Sequence, residues 1–206
     1  VKTAADSLLG ARLLARPCAS RLLIVGAGVV AGDLARAYSD GFRLDRIQIW
    51  NRSRPRAESL RKELELEGIA TELVDDLEKA ASEADLIATA TMSREPLIYG
   101  EWVRLGTHVD LVGAYTPQMR ESDDELILNS QVFVDCRLTT EGQTGDIAAP
   151  IKRGVFSSDR IRGSLYSMVS GQAGRESDDT VTVFKNGGGG HIDLMVARHV
   201  FNCLVN

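Results

Sequence analysis

The feature that most constrains this chain is a glycine-rich turn set between a buried strand and a helix. Arg21-Leu-Leu-Ile-Val25 is a short unbroken apolar run, the pattern of a strand covered on both faces. Gly26-Ala27-Gly28-Val29-Val30-Ala31 follows without a gap, and residues 31–38 read as a helix. In this setting the first glycine of G-x-G-x-x-A permits the tight turn. The second lets backbone approach a pyrophosphate, and the small last residue packs the helix close to the sheet. Gly26, Gly28, Val29 and Val30 are therefore candidate dinucleotide-binding residues. A plain glycine turn or a methyltransferase loop shares the spacing, but the strand–turn–helix order favours a dinucleotide.

The rest of the chain continues the alternation. Strands are predicted at residues 46–50, 70–74, 85–91, 107–113, 131–135 and 180–184. Helices are predicted at 55–67, 77–83, 123–129 and 192–204. Strands interleaved with helices over 206 residues imply an α/β fold with a doubly wound parallel sheet. Residues 3–16 form an amphipathic helix that places Ala4, Leu8, Ala11 and Leu14 on one face, with Ala5, Leu9 and Ala15, and Pro17 stops it. The run Gly187–Gly190 marks a hinge or a close approach of backbone to ligand.

The end of the second strand bears on the cofactor. NAD-binding chains usually carry Asp or Glu there to hold the ribose 2′-hydroxyl. This chain has Trp50-Asn51-Arg52-Ser53-Arg54, and a guanidinium matches the 2′-phosphate of NADP. Asn51, Arg52 and Ser53 are thus candidates for the adenosine end, with NADP(H) preferred and NAD(H) possible. Ala90-Thr91-Met92 and Val112-Gly113-Ala114 end the fourth and fifth strands, where ligands sit in open parallel sheets. Ala90, Thr91, Met92, Val112 and Ala114 are the candidate wall of a nicotinamide pocket.

Composition excludes other classes. A net charge of −5, from 24 Lys+Arg against 29 Asp+Glu, argues against a nucleic-acid partner. No apolar run reaches the roughly 18–20 residues of a membrane span. Cys18, Cys136 and Cys203 are scattered and odd in number, which suits a reducing, cytoplasmic setting, and each is expected to be a small buried hydrophobe. With His108, His191 and His199 they make no metal-ligand spacing, so no metal is expected. The opening helix carries Arg12 and Arg16, unlike a signal peptide, and the chain starts at Val1, as a fragment or processed product would.

Motifs spread over nearly the whole chain resemble the ornithine cyclodeaminase/mu-crystallin family. They are Lys2-Thr-Ala-Ala5, Gly26-Ala-Gly-Val29, Ile49-Trp-Asn-Arg-Ser53, Glu95-Pro-Leu-Ile98 and Gly100-Glu-Trp102. Gly106-Thr-His108, Val112-Gly-Ala114, Pro117, Arg120-Glu121 and Asp123-Asp124 follow in family order. Val134-Asp135, Gly145-Asp146 and Phe184-Lys-Asn186 complete the set. The resemblance implies a Rossmann NAD(P) domain at residues 19–186. It further implies that residues 1–18 link it to a substrate and dimerisation domain, and that residues 187–206 return to that domain. Most of that second domain lies ahead of Lys2-Thr3 in the family, so the 206-residue chain alone is expected to be inactive.

The resemblance also adds Thr3 and Asn186 to the cofactor candidates, and Lys2, Tyr115 and His191 to the catalytic ones. Lys2 stands where the family has Arg, keeping the charge but losing the bidentate fork. Tyr115 stands where cyclodeaminases carry a catalytic aspartate, and a phenol with an ordinary pKa near 10 is a poor base at neutral pH. His191 is a candidate acid or carboxylate partner, or a structural helix-start residue. The implied function is NADPH-dependent reduction of a cyclic imino acid, pyrroline- or piperideine-2-carboxylate, by a homodimer. The alternatives are an ornithine cyclodeaminase and a non-catalytic binder of NADPH and a small ligand, as in mu-crystallin.

Overall fold

The computed structural model describes residues 2–205, apart from the side chain of His191. The chain opens with helix α1 (Lys2–Leu14) and strand β1 (Arg21–Val25), then α2 (Val29–Gly41), β2 (Arg46–Trp50), α3 (Arg54–Leu66) and the two-residue β3 (Glu72–Leu73). Next come α4 (Leu77–Glu83), β4 (Leu86–Thr89), β5 (His108–Leu111), α5 (Asp124–Leu128) and β6 (Gln131–Val134). The chain closes through α6 (Arg137–Thr140), α7 (Gly145–Lys152), β7 (Ile161–Ser164), α8 (Leu165–Val169), β8 (Thr182–Lys185) and α9 (Gly190–Val205).

All strand pairings are parallel, in the order β3-β2-β1-β4-β5-β8-β6-β7. The doubly wound parallel sheet expected from the sequence is present. The alternation along β1 explains its two covered faces. Leu23 and Val25 point into a core shared with α4, α5 and α7, while Leu22 and Ile24 meet α1, α2 and α3. Each such burial contributes roughly 1.5–3 kcal/mol. From β1 the chain runs outward through β2 and β3, then returns to the other side of β1 as β4. That reversal is the switch point at which open α/β sheets bind ligands.

The structure departs from the sequence reading in three places. The apolar face expected for α1 is buried at Ala4, Ala11 and Leu14, but Leu8 is only half-buried and Leu9 is 40% exposed, whereas Asp6, Ser7 and Gly10 are buried. Gly10 is the reason, because a Cβ there would sit 2.7 Å from the Phe184 ring. The helix therefore meets the sheet through its smallest residue, and the polar side chains beside it find polar partners. Second, the cysteines are not buried hydrophobes. Cys18 and Cys203 are exposed and Cys136 is half-buried, because they lie in a turn, on the outward helix α9 and at the start of α6. Third, α6, α7, β7 and α8 carry weak signals. They are four to eight residues long, α7 contains Pro150, and β7 has Ile161 as its one large apolar residue. Among the described residues no helix is long and apolar enough to cross a membrane.

Candidate functional site

The C-terminal ends of the central strands form one continuous row. Gly26 N–H donates to Trp50 O at 2.8 Å, Ala90 N–H to Val25 O at 2.8 Å, Val112 N–H to Thr89 O at 3.0 Å, and Asn186 N–H to Leu111 O at 3.1 Å. Each candidate segment therefore leaves the sheet at the same edge. Gly26 turns there with φ +126°, and a Cβ would lie 2.5 Å from Ala90 O, so no other residue fits this crossing. A Cβ on Gly28 would instead meet nothing within 4 Å. Gly28 is the N-cap of α2 and supplies no side-chain cap, so open space stands over the first-turn amides. A pyrophosphate fits that cradle.

Three cavities border the cradle among the described residues, and two of them take in the strand-end candidates. One, of about 620 Å³, runs toward β2 and is lined by Gly26, Asn51, Arg52, Ala90, Thr91 and Met92, with Trp50, Arg56 and Arg94 among others. Arg54 is committed elsewhere, to Asp75 and Glu58. Among the described residues Arg52 and Arg56 have no ion-pair partner. Ser53 does not reach this cavity. It caps α3 without a side-chain hydrogen bond, and its carbonyl accepts from Asn51 Nδ2 at 2.9 Å. Arg56, on the first turn of α3, is a cleft residue that the sequence reading passed over within its basic stretch.

The other cavity, of about 410 Å³, is lined by Thr3, Gly28, Val29, Val30, Ala90, Thr91, Met92 and Val112. Gly113, Tyr115, Asn186, Gly187 and Gly188 close it. Its apolar rim is open to solvent, with Val29 84%, Met92 73% and Tyr115 58% exposed, as a ring-binding mouth requires. Ala114 is the exception among the expected wall residues. It is fully buried, its N–H turned to Glu121 Oε2 at 3.3 Å.

Behind this wall lies a charged network that the sequence reading did not assign to the site. Glu121, Asp146, Asp135, Asp110 and Lys185 are all essentially solvent-free. Lys185 Nζ donates to Leu111 O at 2.9 Å and stands 3.4 Å from Asp146 Oδ2. Asp146 Oδ1 accepts from the Glu121 and Ser122 amides at 2.8 and 3.0 Å. Asp135 Oδ2 accepts from the Gly187 and Gly188 amides at 2.9 and 2.6 Å, fixing the start of the glycine run. Asn186 Nδ2 donates to Asp6 Oδ2 at 2.6 Å, tying α1 to the cavity. Burial, reinforced by Asp135 and Asp110, pushes Asp6 up to about 7, and burial likewise pushes Asp110 up to about 7.

Of the catalytic candidates, Tyr115 lines the cavity of about 410 Å³ and Lys2 borders it. Lys2 Nζ pairs with Asp193 Oδ1 of α9 at 2.9 Å. It lines a neighbouring apolar cavity between α1, α8 and α9. It stands about 4.0 Å from where a Gly188 Cβ would project, so it borders the 410 Å³ cavity at the glycine run. Tyr115 sits at the mouth of that cavity. His191 follows Gly190 at the start of α9, and its side chain lies outside the described residues.

A parallel doubly wound sheet with an open glycine turn at its switch point defines a Rossmann-type α/β domain. The chain belongs to the ornithine cyclodeaminase/mu-crystallin family, which matches residues 1–206. It is 48% identical over 203 residues to the Delta(1)-pyrroline-2-carboxylate reductase of Paracoccus denitrificans (strain Pd 1222), covering 97% of this chain and 64% of that protein. The Thermococcus litoralis Delta(1)-pyrroline-2-carboxylate reductase in complex with NADH and L-proline has a TM-score of 0.91 at 30% identity, over 96% of this chain and 62% of that one. The iminosuccinate reductase of Paracoccus denitrificans in complex with NAD+ has a TM-score of 0.87 at 30% identity, over 98% and 62%. The chain thus spans less than two thirds of the length of these relatives.

Proposed function

We propose that the protein reduces a cyclic imino acid of the pyrroline- or piperideine-2-carboxylate type to the cyclic amino acid, using a nicotinamide cofactor. The observation that carries this reading is the continuity of the open cradle over Gly28 with the cavity walled by Thr91, Met92, Val112 and Asn186. The named activity of the 48% identical Paracoccus reductase and the L-proline of the Thermococcus complex support it. When bound, the cofactor would supply a hydride to the ring carbon of a substrate that arrives protonated as its iminium, so that the nitrogen keeps that proton in the amine product. The chain's part is chiefly positioning. The Gly26–Gly28 backbone and the start of α2 hold pyrophosphate, and Asn51 and Arg52 face the adenosine ribose. Thr3, Val29, Val30, Ala90 and Asn186 complete the pocket, while Lys2 is assigned to the substrate carboxylate, with His191 kept as a second candidate for that role. Tyr115 gives the mouth a wall without a carboxylate base, which favours reduction over ammonia elimination.

NADP(H) is the cofactor we favour, supported by Arg52 and Arg56 standing unpaired at the cleft, although the two related complexes hold NADH and NAD+. The domain assignment follows the same reading: residues 19–186 bind dinucleotide, while 1–18 and 187–206 join a substrate and dimerisation domain. A homodimer is supported by the exposed apolar side chains of α9, including Leu194, Met195, Phe201 and Leu204. A cytoplasmic location is supported by the three unpaired cysteines.

The test uses the full-length protein, following NADPH and NADH oxidation by pyrroline-2-carboxylate and ammonia release from ornithine. Imine-dependent oxidation without ammonia release is expected. Ammonia release with no imine reduction would restore the lyase, and neither activity with tight NADPH binding would leave a ligand binder.

A further inference from the structure

We propose that Glu121 is the positioning residue of the cleft, its carboxylate setting the separation of the two strand ends that wall the nicotinamide-side cavity. The proposal rests on the reading of that cavity as a nicotinamide pocket. Glu121 belongs to neither strand. It sits in the segment before α5 and is held from behind, its N–H donating to Asp146 Oδ1 at 2.8 Å and its carbonyl accepting from the Leu97 and Ile98 amides, both at 2.9 Å. Its side chain is completely buried and receives five donors. Oε1 accepts from Thr91 N–H at 2.6 Å and Thr91 Oγ1 at 2.7 Å. Oε2 accepts from Thr89 Oγ1 at 2.7 Å, Gly113 N–H at 2.6 Å and Ala114 N–H at 3.3 Å.

Sheet pairing between β4 and β5 closes with Val112 N–H on Thr89 O, at the edge of the cavity that Val112 lines. Beyond that bond the two chain ends are joined through one carboxylate, one oxygen on the β4 end and the other chiefly on the β5 end. A carboxylate offers acceptors to all five groups; burial pushes the Glu121 carboxyl above its ordinary range, while Lys185 and the Thr91 and Thr89 hydroxyls hold it down. The walls approach so closely that a Cβ on Gly113 would collide with the Thr91 backbone and lie 2.5 Å from Glu121 Oε1. A hydrogen-bond count this high on a residue that touches no ligand cavity identifies a clamp: moving it displaces Gly113, which lines only the smaller cavity, and Thr91, which lines both, while Gly28 and Arg52 share no hydrogen bond with it among the described residues.

That geometry separates the two ends of the cofactor, which gives the test. The protein, Glu121→Gln and Gly113→Ala are titrated with NADPH and with 2′-phospho-ADP-ribose, which carries the adenosine end and pyrophosphate but no nicotinamide. Gln keeps the shape but turns an amide N–H₂ toward fixed donors. Gly113→Ala wedges the walls directly and decides the matter if the glutamine variant fails to fold. Both variants are expected to lose about tenfold in NADPH affinity and less than twofold for the nicotinamide-free ligand. Equal losses for both ligands, or an unchanged ratio, overturn the positioning role while the nucleotide site stands. A parent protein that binds neither ligand overturns the nucleotide reading and this proposal with it.

Discussion

The two halves of the sheet are held together by different physics. Between β1 and β4 the strand ends meet through packing: Leu22, Leu23, Ile24 and Val25 are fully covered, and Gly26 crosses Ala90 with no room for a side chain. Between β5, β8 and β6 the ends meet through ions, with Lys185, Asp146, Glu121 and Asp135 buried and linked to amides and carbonyls. Packing is non-directional and tolerates small shifts, whereas a buried carboxylate with several donors fixes one arrangement. The first half provides an open cradle for a phosphate that binds through backbone. The second provides a wall whose spacing must be set, and the directional half is the one that forms it.

Removing one member from each half gives the largest contrast. Leu23→Ala leaves a cavity in the apolar half and is expected to cost about 2–5 kcal/mol, equally at pH 5 and pH 8. Lys185→Met leaves Glu121 and Asp146 buried without their cation, a loss of about 3–5 kcal/mol at pH 8. Protonation relieves that repulsion, so the loss from Lys185→Met shrinks toward pH 5. Urea unfolding of both variants at the two pH values decides it. A pH-independent Lys185→Met loss would erase the distinction between the halves.

The same contrast explains what was legible in the sequence. Continuous apolar runs and the Gly26–Ala31 spacing are local signals, and they place β1, α2 and the cradle to within three residues. Glu121, Asp146 and Lys185 were visible only as fragments of family motifs. The Glu121 N–H meets Asp146 at a separation of 25 residues and Lys185 meets Leu111 at 74, and nothing in a charged residue's neighbours announces burial. Ala114 failed as a wall residue for a related reason. It ends a strand correctly, but Glu121 draws its N–H inward, and an alternating pattern does not carry that information. The buried face of α1 was hidden because Gly10 admits close approach beside polar residues, against the apolar stripe.

At the cradle's far end, two arginines close in sequence separate function from surface chemistry. Arg52→Ala is expected to weaken NADPH binding tenfold to a hundredfold, the loss of about 1.5–3 kcal/mol carried by a charge-assisted contact, with NADH changed less than twofold. Arg54→Ala removes exposed pairs with Asp75 and Glu58 and should change either affinity less than twofold. Parallel titrations of both cofactors measure this, and equal NADPH and NADH losses in Arg52→Ala would break the assignment.

The effect that is smallest at any one step of pH lies where the two halves touch. Tyr38 of α2 donates to Asp110 Oδ2 of β5 at 3.1 Å, and Asp6 of α1 stands in the same buried group with Asn186, facing Lys2, Asp135 and Lys185. Burial raises Asp110 and Asp6 from 3.8 to about 7. Between pH 4 and 7 the native state therefore holds protons that the unfolded chain has released, so stability falls as pH rises through this window and levels off above it. Each carboxyl contributes a slope of at most about 1.4 kcal/mol per pH unit. His108 acts in the opposite sense: burial lowers it from 6.5 to about 3, so the unfolded chain gains a proton first and stability falls as pH drops below 6.5. Over pH 4–6.5 two raised carboxyls outweigh one depressed imidazole. Asp110→Asn removes one carboxyl and brings the remaining pair close to cancellation. Melting curves at half-unit steps should show the variant gaining on the parent steadily from pH 4 to 7, then running parallel to it. Curves parallel throughout would mean that Asp110 ionises as readily in the fold as out of it, and that the seam between the halves carries no proton.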